Sequence, residues 1–129
     1  MALTALDLTP EEWKAYHPME SVRRWKEAYR ADLVNRRRRA RRTARKASEL
    51  LRTEFGATAV ILFGSLTLPG RFTPWSDIDL AASGIPPDRY FEAVGTVIDL
   101  SAEFKIDLID LDTCPPSFKE VIEAEGKAL

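Results

Sequence analysis

Asp77-Ile78-Asp79 places two carboxylates two residues apart, directly after a loop and at the head of the apolar run Leu80-Ala81-Ala82. In an extended strand alternate residues share a face, so this spacing puts both carboxylates on one side and Ile78 and Leu80 on the other. Side by side they repel unless a cation sits between them. Hard oxygen donors of this kind suit Mg²⁺, which keeps several waters and takes one or two protein carboxylates together with substrate phosphates. A third carboxylate stands in Lys105-Ile-Asp107-Leu-Ile-Asp110-Leu-Asp112, where Asp107 has apolar neighbours on both sides. Three converging carboxylates would hold two ions about 3.5 to 4 Å apart, the arrangement that clamps attacking and leaving oxygens in phosphoryl or nucleotidyl transfer. Asp-x-Asp alone is common on exposed turns, where aspartates cap and solubilise. The ordered combination with what precedes and follows it points to chemistry.

These residues need strands to hold them. Ala57-Thr-Ala-Val-Ile-Leu-Phe63 is short, apolar and β-branched, as a buried strand should be, and Gly64-Ser65 ends it. Pro69-Gly70 and Pro74 punctuate the loop that leads to the aspartates. Gly84-Ile-Pro86-Pro87 opens a second loop, and Asp88 to Leu100 carries an amphipathic pattern through Tyr90, Phe91, Val94, Val97 and Ile98. A strand bearing Asp107 follows, and Ser117 to Glu125 reads as a last helix before Gly126. The expected class is α/β (α+β), a domain of about three or four core strands with long N-terminal helices.

Gly64-Ser65, Asp77-x-Asp79 and the later Asp107 together resemble the motif set of the DNA polymerase beta-like nucleotidyltransferase superfamily, in its minimal nucleotidyltransferase (MNT) branch. The resemblance covers roughly residues 57–112. It implies a small mixed sheet flanked by helices and a Gly-Ser turn that opens a helix and holds the triphosphate, with Asp77, Asp79 and Asp107 binding Mg²⁺, two ions being expected, for transfer of AMP from ATP. The spacer from Leu66 to Ser76 is one residue longer than in most members, and Thr67-Leu68-Pro69-Gly70 stands where many carry an arginine before the glycine. Members of the branch are often paired with a HEPN-domain ribonuclease toxin, which they silence as antitoxins by adenylylating a toxin tyrosine. The ribonuclease pattern Arg-x4-6-His is absent from this chain, which argues that it is not the toxin.

The 129 residues fit a single domain over 1–129, with 1–55 as a helical extension and 57–129 as the catalytic core. One cysteine, Cys114, excludes an intrachain disulfide, and one histidine, His17, excludes a His/Cys zinc cluster within the chain. A reducing cytoplasm fits. No apolar run approaches the ~20 residues needed to span a bilayer, and the first residues lack the pattern of an export signal.

Net charge is −1, yet residues 1–52 carry 14 Lys/Arg against 7 Asp/Glu while residues 53–129 carry 5 against 13. Attraction between the two halves is expected. Thr9-Pro10-Glu11-Glu12 is a helix start, and His17-Pro18 ends that helix near Tyr16. From about Met19 to Glu54, Val22, Trp25, Tyr29 and Leu33, then Ala40, Ala44, Ala47 and Leu51, recur at helical spacing, in one helix or in two with a break near Asn35. Trp13, Tyr16, Trp25 and Tyr29 at such spacing read as core or interface. On the other faces, residues 36–46 hold eight basic residues and no acid. Such a run is ordinarily a solvated face, but it repels itself, so RNA contact over Arg36–Arg45 or docking to an acidic partner is a second reading.

Two classes of function emerge. One is a Mg²⁺-dependent nucleotidyltransferase moving a nucleoside monophosphate to an acceptor hydroxyl, with Asp107 accepting the proton and the acceptor supplied by a partner such as a HEPN toxin. The other is a catalytically inactive nucleotide- or partner-binding module whose N-terminal helices make the interface, including a homo-oligomer. An antibiotic-modifying nucleotidyltransferase is the remaining enzymatic alternative.

Overall fold

The structure, a computed structural model, describes residues 9–11 and 18–129. The expected helix from Thr9 to Tyr16, with the readings of Trp13, Tyr16 and His17, lies outside the described residues except at 9–11. The chain divides into two units, Met1–Asp32 and Leu33–Leu129.

Helix α1 runs unbroken over Pro18–Phe55, so the break considered near Asn35 does not occur. Within the first unit its apolar side chains Met19, Val22, Trp25 and Tyr29 are exposed, Trp25 by 80%. Within the second unit the pattern changes to alanine, and Ala40, Ala44, Ala47 and Leu51 are fully buried. Small side chains let a helix approach a sheet closely, and these four residues share one cluster with Val60, Leu62, Ile78, Leu80, Ile106 and Leu108.

After α1 come strand β1 (Ala59–Phe63), a single 3₁₀ turn (Gly64–Thr67) and strand β2 (Ile78–Ser83). Helix α2 (Tyr90–Asp99), strand β3 (Ile106–Asp110), helix α3 (Pro116–Glu125) and the two-residue strand β4 (Lys127–Ala128) complete the chain. The sheet order is β3-β2-β1-β4; β1 is antiparallel to β2 and β4, and β2 is parallel to β3. The parallel pair needs a crossover, which α2 provides by packing Ala93 and Val97 on the same side as α1.

The sheet thus has two unlike faces. Val60 and Leu62 of β1, Ile78, Leu80 and Ala82 of β2, and Ile106 and Leu108 of β3 face α1 and α2. Alternation sends Ile61, Phe63, Ala81 and Ile109 to the other face, where Leu111, just beyond β3, and Ile122 of α3 join them in a smaller cluster. Asp79 and Asp107 share that face, and Phe118 of α3 meets the ring of Phe63, the register partner of Asp79, edge-on at 6.2 Å.

Strand β4 was not anticipated. Gly126 makes it possible: a Cβ at that position would meet the Ile122 carbonyl oxygen at 2.5 Å and the Leu62 carbonyl oxygen at 3.1 Å. Without a side chain the backbone leaves α3 and lies directly against β1, pairing Lys127 with Leu62 and Ala128 with Ile61.

Candidate active site

Register assembles the carboxylates. Asp79 of β2 lies opposite Asp107 of the parallel strand β3 and opposite Phe63 of the antiparallel strand β1. Both aspartates share the face away from α1 and α2, because their neighbours Ile78, Leu80, Ile106 and Leu108 fill the other. Asp77 immediately precedes β2, whose first residue is fixed by the Ile78 N–H donating to the Lys105 carbonyl at 2.9 Å.

The electrostatics reflect this crowding. Burial first, then the charges of Asp107 and Asp77, push the Asp79 carboxyl up from 3.8 to about 6, with Lys105 acting against them. Lys105 Nζ lies 3.6 Å from Asp107 Oδ1. The reading of the sequence passed over this lysine, although alternation from Asp107 puts residue 105 on the same face.

Asp110 and Asp112, the other acids of the segment, have different tasks. Asp112 accepts from the Ser83 hydroxyl at 2.5 Å and from the Gly84 N–H at 2.9 Å, and these bonds hold its carboxyl below its usual range. Asp110 Oδ1 accepts the Asp112 N–H at 2.9 Å. Both carboxylates are spent on the turn beyond β2 and β3.

Gly64 begins the 3₁₀ turn at φ +78°, in the left-handed region, and a Cβ there would collide with Asp79 Oδ2. Glycine is therefore needed twice over, for conformation and for the approach of backbone to carboxylate. No side chain caps the start of the turn, and the Thr67 hydroxyl donates to the Gly64 carbonyl at 2.7 Å. The helix expected after Gly-Ser is only this four-residue turn. Behind it Arg37 of α1 donates to the Leu66 carbonyl at 3.4 Å, a long-range tether that no local pattern in the sequence signals.

Asp79 and Asp107, with Asp77 beside them, offer hard oxygen donors whose mutual repulsion a divalent cation would relieve, so the residues present fit Mg²⁺. Among the described residues no three His, Cys, Asp or Glu side chains close around a single point. Phosphate oxygens and water would have to complete such a coordination sphere, which is the habit of Mg²⁺.

The carboxylate pair on neighbouring strands thus faces a glycine-opened turn at the end of β1. The chain belongs to the polymerase beta nucleotidyltransferase family, whose model matches residues 45–129. Its fold is similar to that in a solved toxin–antitoxin complex with AMP-PNP, at 24% identity and a TM-score of 0.56, covering 66% of this chain and 70% of the other. It is also similar to the toxin–antitoxin MntA–HepT, at 21% identity and a TM-score of 0.52, covering 68% and 69%. A third likeness is to the tri-AMPylated Shewanella oneidensis HEPN toxin in complex with MNT antitoxin, at 20% identity and a TM-score of 0.53, covering 69% and 70%. Comparison with curated proteins gives no match. Among the described residues no helix is long and apolar enough to cross a membrane.

Proposed function

We propose that the protein transfers AMP from ATP to a hydroxyl of a partner protein of the HEPN toxin class, and so acts as an antitoxin. The observation that carries this reading is the register of Asp79 opposite Asp107, with Gly64 packed against the Asp79 carboxylate. The family supports nucleotidyl transfer, and the AMP-PNP complex and the AMPylated HEPN toxin among the structural likenesses support the nucleotide and the acceptor.

In this reading Asp77, Asp79 and Asp107 hold Mg²⁺, and the bound ions would neutralise phosphate charge and acidify the acceptor hydroxyl. The chain's own groups then have separable roles. Gly64 and Ser65 hold the leaving phosphates through backbone N–H groups and a hydroxyl, with the close approach that a glycine permits. Asp107 receives the proton of the acceptor hydroxyl, and Lys105 Nζ lies 3.6 Å from its Oδ1. Asp79 is placed deepest, and its raised pKa leaves it mostly ionised at neutral pH only by a narrow margin.

The partner docks, in the same reading, on the exposed stripe Met19, Val22, Trp25 and Tyr29, because large apolar groups on one helix face suit a protein interface. The test is transfer of labelled AMP to a co-purified HEPN-type protein. Asp107→Asn should retain ATP binding while lowering transfer by on the order of 10² or more. If Asp110→Asn abolished transfer and Asp107→Asn did not, the assignment of the third carboxylate would fall. If no variant of the three aspartates changed ATP binding or transfer, the chain would be the inactive binding module.

A further inference from the structure

The arginine run of α1 is not uniformly solvated. Arg39 makes a two-pronged ion pair with Glu103 at 2.7 and 2.9 Å, and Arg36 lies 3.7 Å from the same carboxylate with its guanidinium 4.6 Å over the Phe104 ring. Arg37 holds the Leu66 carbonyl. Arg38, Arg41 and Arg45, by contrast, make no hydrogen bond or ion pair among the described residues, and the three share one side of the helix. They line a groove of about 370 Å³, which adjoins through Arg41 and Arg45 a larger cleft of about 560 Å³ between α1 and the β4 edge.

The larger cleft is open on the α1 side of the sheet, where Leu62 forms part of its floor, opposite the face of Asp79 and Asp107. Its side chains are mostly cationic: Arg41, Arg45, Arg52 and Lys127 line it with Glu49 as the one acidic side chain, although Arg52 is engaged with main-chain oxygens of Thr58 and Leu129. Ser48 also lines it, and although this side chain is only 4% exposed its hydroxyl bonds to no protein group among the described residues. A nearly buried hydroxyl turned into a cationic cleft is a donor waiting for an acceptor.

We propose that this cleft binds a single-stranded nucleic acid by its phosphodiester backbone. Residues four apart on a helix are about 6 Å apart along its axis, so Arg37 or Arg38, Arg41 and Arg45 present a ladder of guanidinium forks at close to the repeat of successive phosphates. The planar fork of arginine matches a phosphate oxygen pair. No aromatic side chain lines either cleft, so bases find no stacking platform and the contact is with the backbone. The same lack of an aromatic anchor disfavours a protein interface, whose centre is usually built on aromatic residues. A recessed row of charges also admits one strand more readily than a duplex.

The experiment is fluorescence anisotropy of the full chain with a labelled RNA strand of about 12 nucleotides, the matching DNA, and polyglutamate, over a range of salt concentrations. Three or four phosphate contacts predict a log–log salt slope between about −2 and −3, at about −0.7 per contact for a single strand. RNA and DNA should bind alike. Arg41→Gln with Arg45→Gln should weaken both at least about tenfold and flatten the slope by about 1.4, whereas Arg71→Gln with Lys119→Gln, an equal change of charge elsewhere, should leave both within about twofold. Circular dichroism checks folding, and Arg38→Gln with Arg45→Gln, both exposed, replaces the first pair if that pair unfolds. Equal losses in the cleft and control variants, or no loss in either, would overturn the proposal. Polyglutamate bound as tightly as RNA would assign the cleft to an acidic protein segment, and a preference of more than about tenfold for RNA over DNA would overturn backbone-only recognition.

Discussion

Folding penalises the charged form of Asp79, the form that the proposed metal site requires. Its carboxyl, raised to about 6 by burial and then by Asp107 and Asp77, binds its proton more tightly in the folded chain than in the unfolded one, where the ordinary value of 3.8 applies. The group therefore favours the fold most at low pH, and that contribution is lost as pH rises from 3.8 through about 6. Asp79→Asn should raise the melting temperature by several degrees in metal-free buffer at about pH 8 and by much less near pH 4. An unchanged or lower melting temperature at the higher pH would show that the carboxylate is not under strain. The same substitution should weaken Mg²⁺- or Mn²⁺-dependent nucleotide binding in calorimetry. Gly64→Ala brings a methyl group against the Asp79 carboxylate at a positive φ, and should cost about 1 to 3 kcal/mol in urea denaturation together with nucleotide binding. At this scale the sequence was informative where alternation and turn chemistry act locally: the shared face of Asp79 and Asp107 and the tight turn at Gly64 follow from spacing and from the family pattern. Lys105 and the Arg37 tether were not legible, because each depends on which segments the tertiary fold brings together.

At the scale of elements, α1 is both a core helix and a charged surface, and Arg36 and Arg39 show how those roles divide. Both reach Glu103, but the Arg36 side chain is mostly buried and its guanidinium lies over Phe104 and, at 5.8 Å, Phe72, whereas the Arg39 pair is exposed. Arg36→Ala should cost about 1 to 2 kcal/mol through lost packing and cation–π attraction. Arg39→Ala should cost less than about 1 kcal/mol, because exposed ion pairs contribute little. Urea titrations of the two variants, compared at matched ionic strength, check the ranking. The alanine stripe of α1 and the strand–helix–strand order through α2 were legible from periodicity, the mixed sheet from the family resemblance, and the attraction expected between basic and acidic halves is present at Glu103. The length of the helix after Gly-Ser was not legible: the resemblance suggested a full helix, and the chain supplies one turn before Pro69-Gly70 diverts it.

For the whole molecule, the division at Asp32 separates a unit whose described apolar side chains are exposed from one that holds every described core residue. Trp25→Ala with Tyr29→Ala should leave the thermal stability of the 33–129 core within about 0.5 kcal/mol, since surface positions away from special features rarely exceed that. The same pair should shift a complex, with itself or with a HEPN-type partner, toward monomer in light scattering. A wild-type chain that is monomeric and binds no such partner at micromolar concentration would remove the docking role of this stripe.

Strand β4 is two residues long, and beyond its ladder it is secured by the Leu129 N–H donating to the Val60 carbonyl at 2.9 Å. Local opening of so short an edge costs far less than global unfolding, so its amides should exchange with solvent deuterium orders of magnitude faster than those of Leu80 and Leu108 in the sheet centre. Each opening would bare the outer edge of β1 for pairing by another extended chain, the standard route by which sheets recruit strands in trans. Proline at Ala128 should lengthen the lifetime of that open edge, and the first symptom expected is concentration-dependent self-association while the far-ultraviolet signal of the helices is retained.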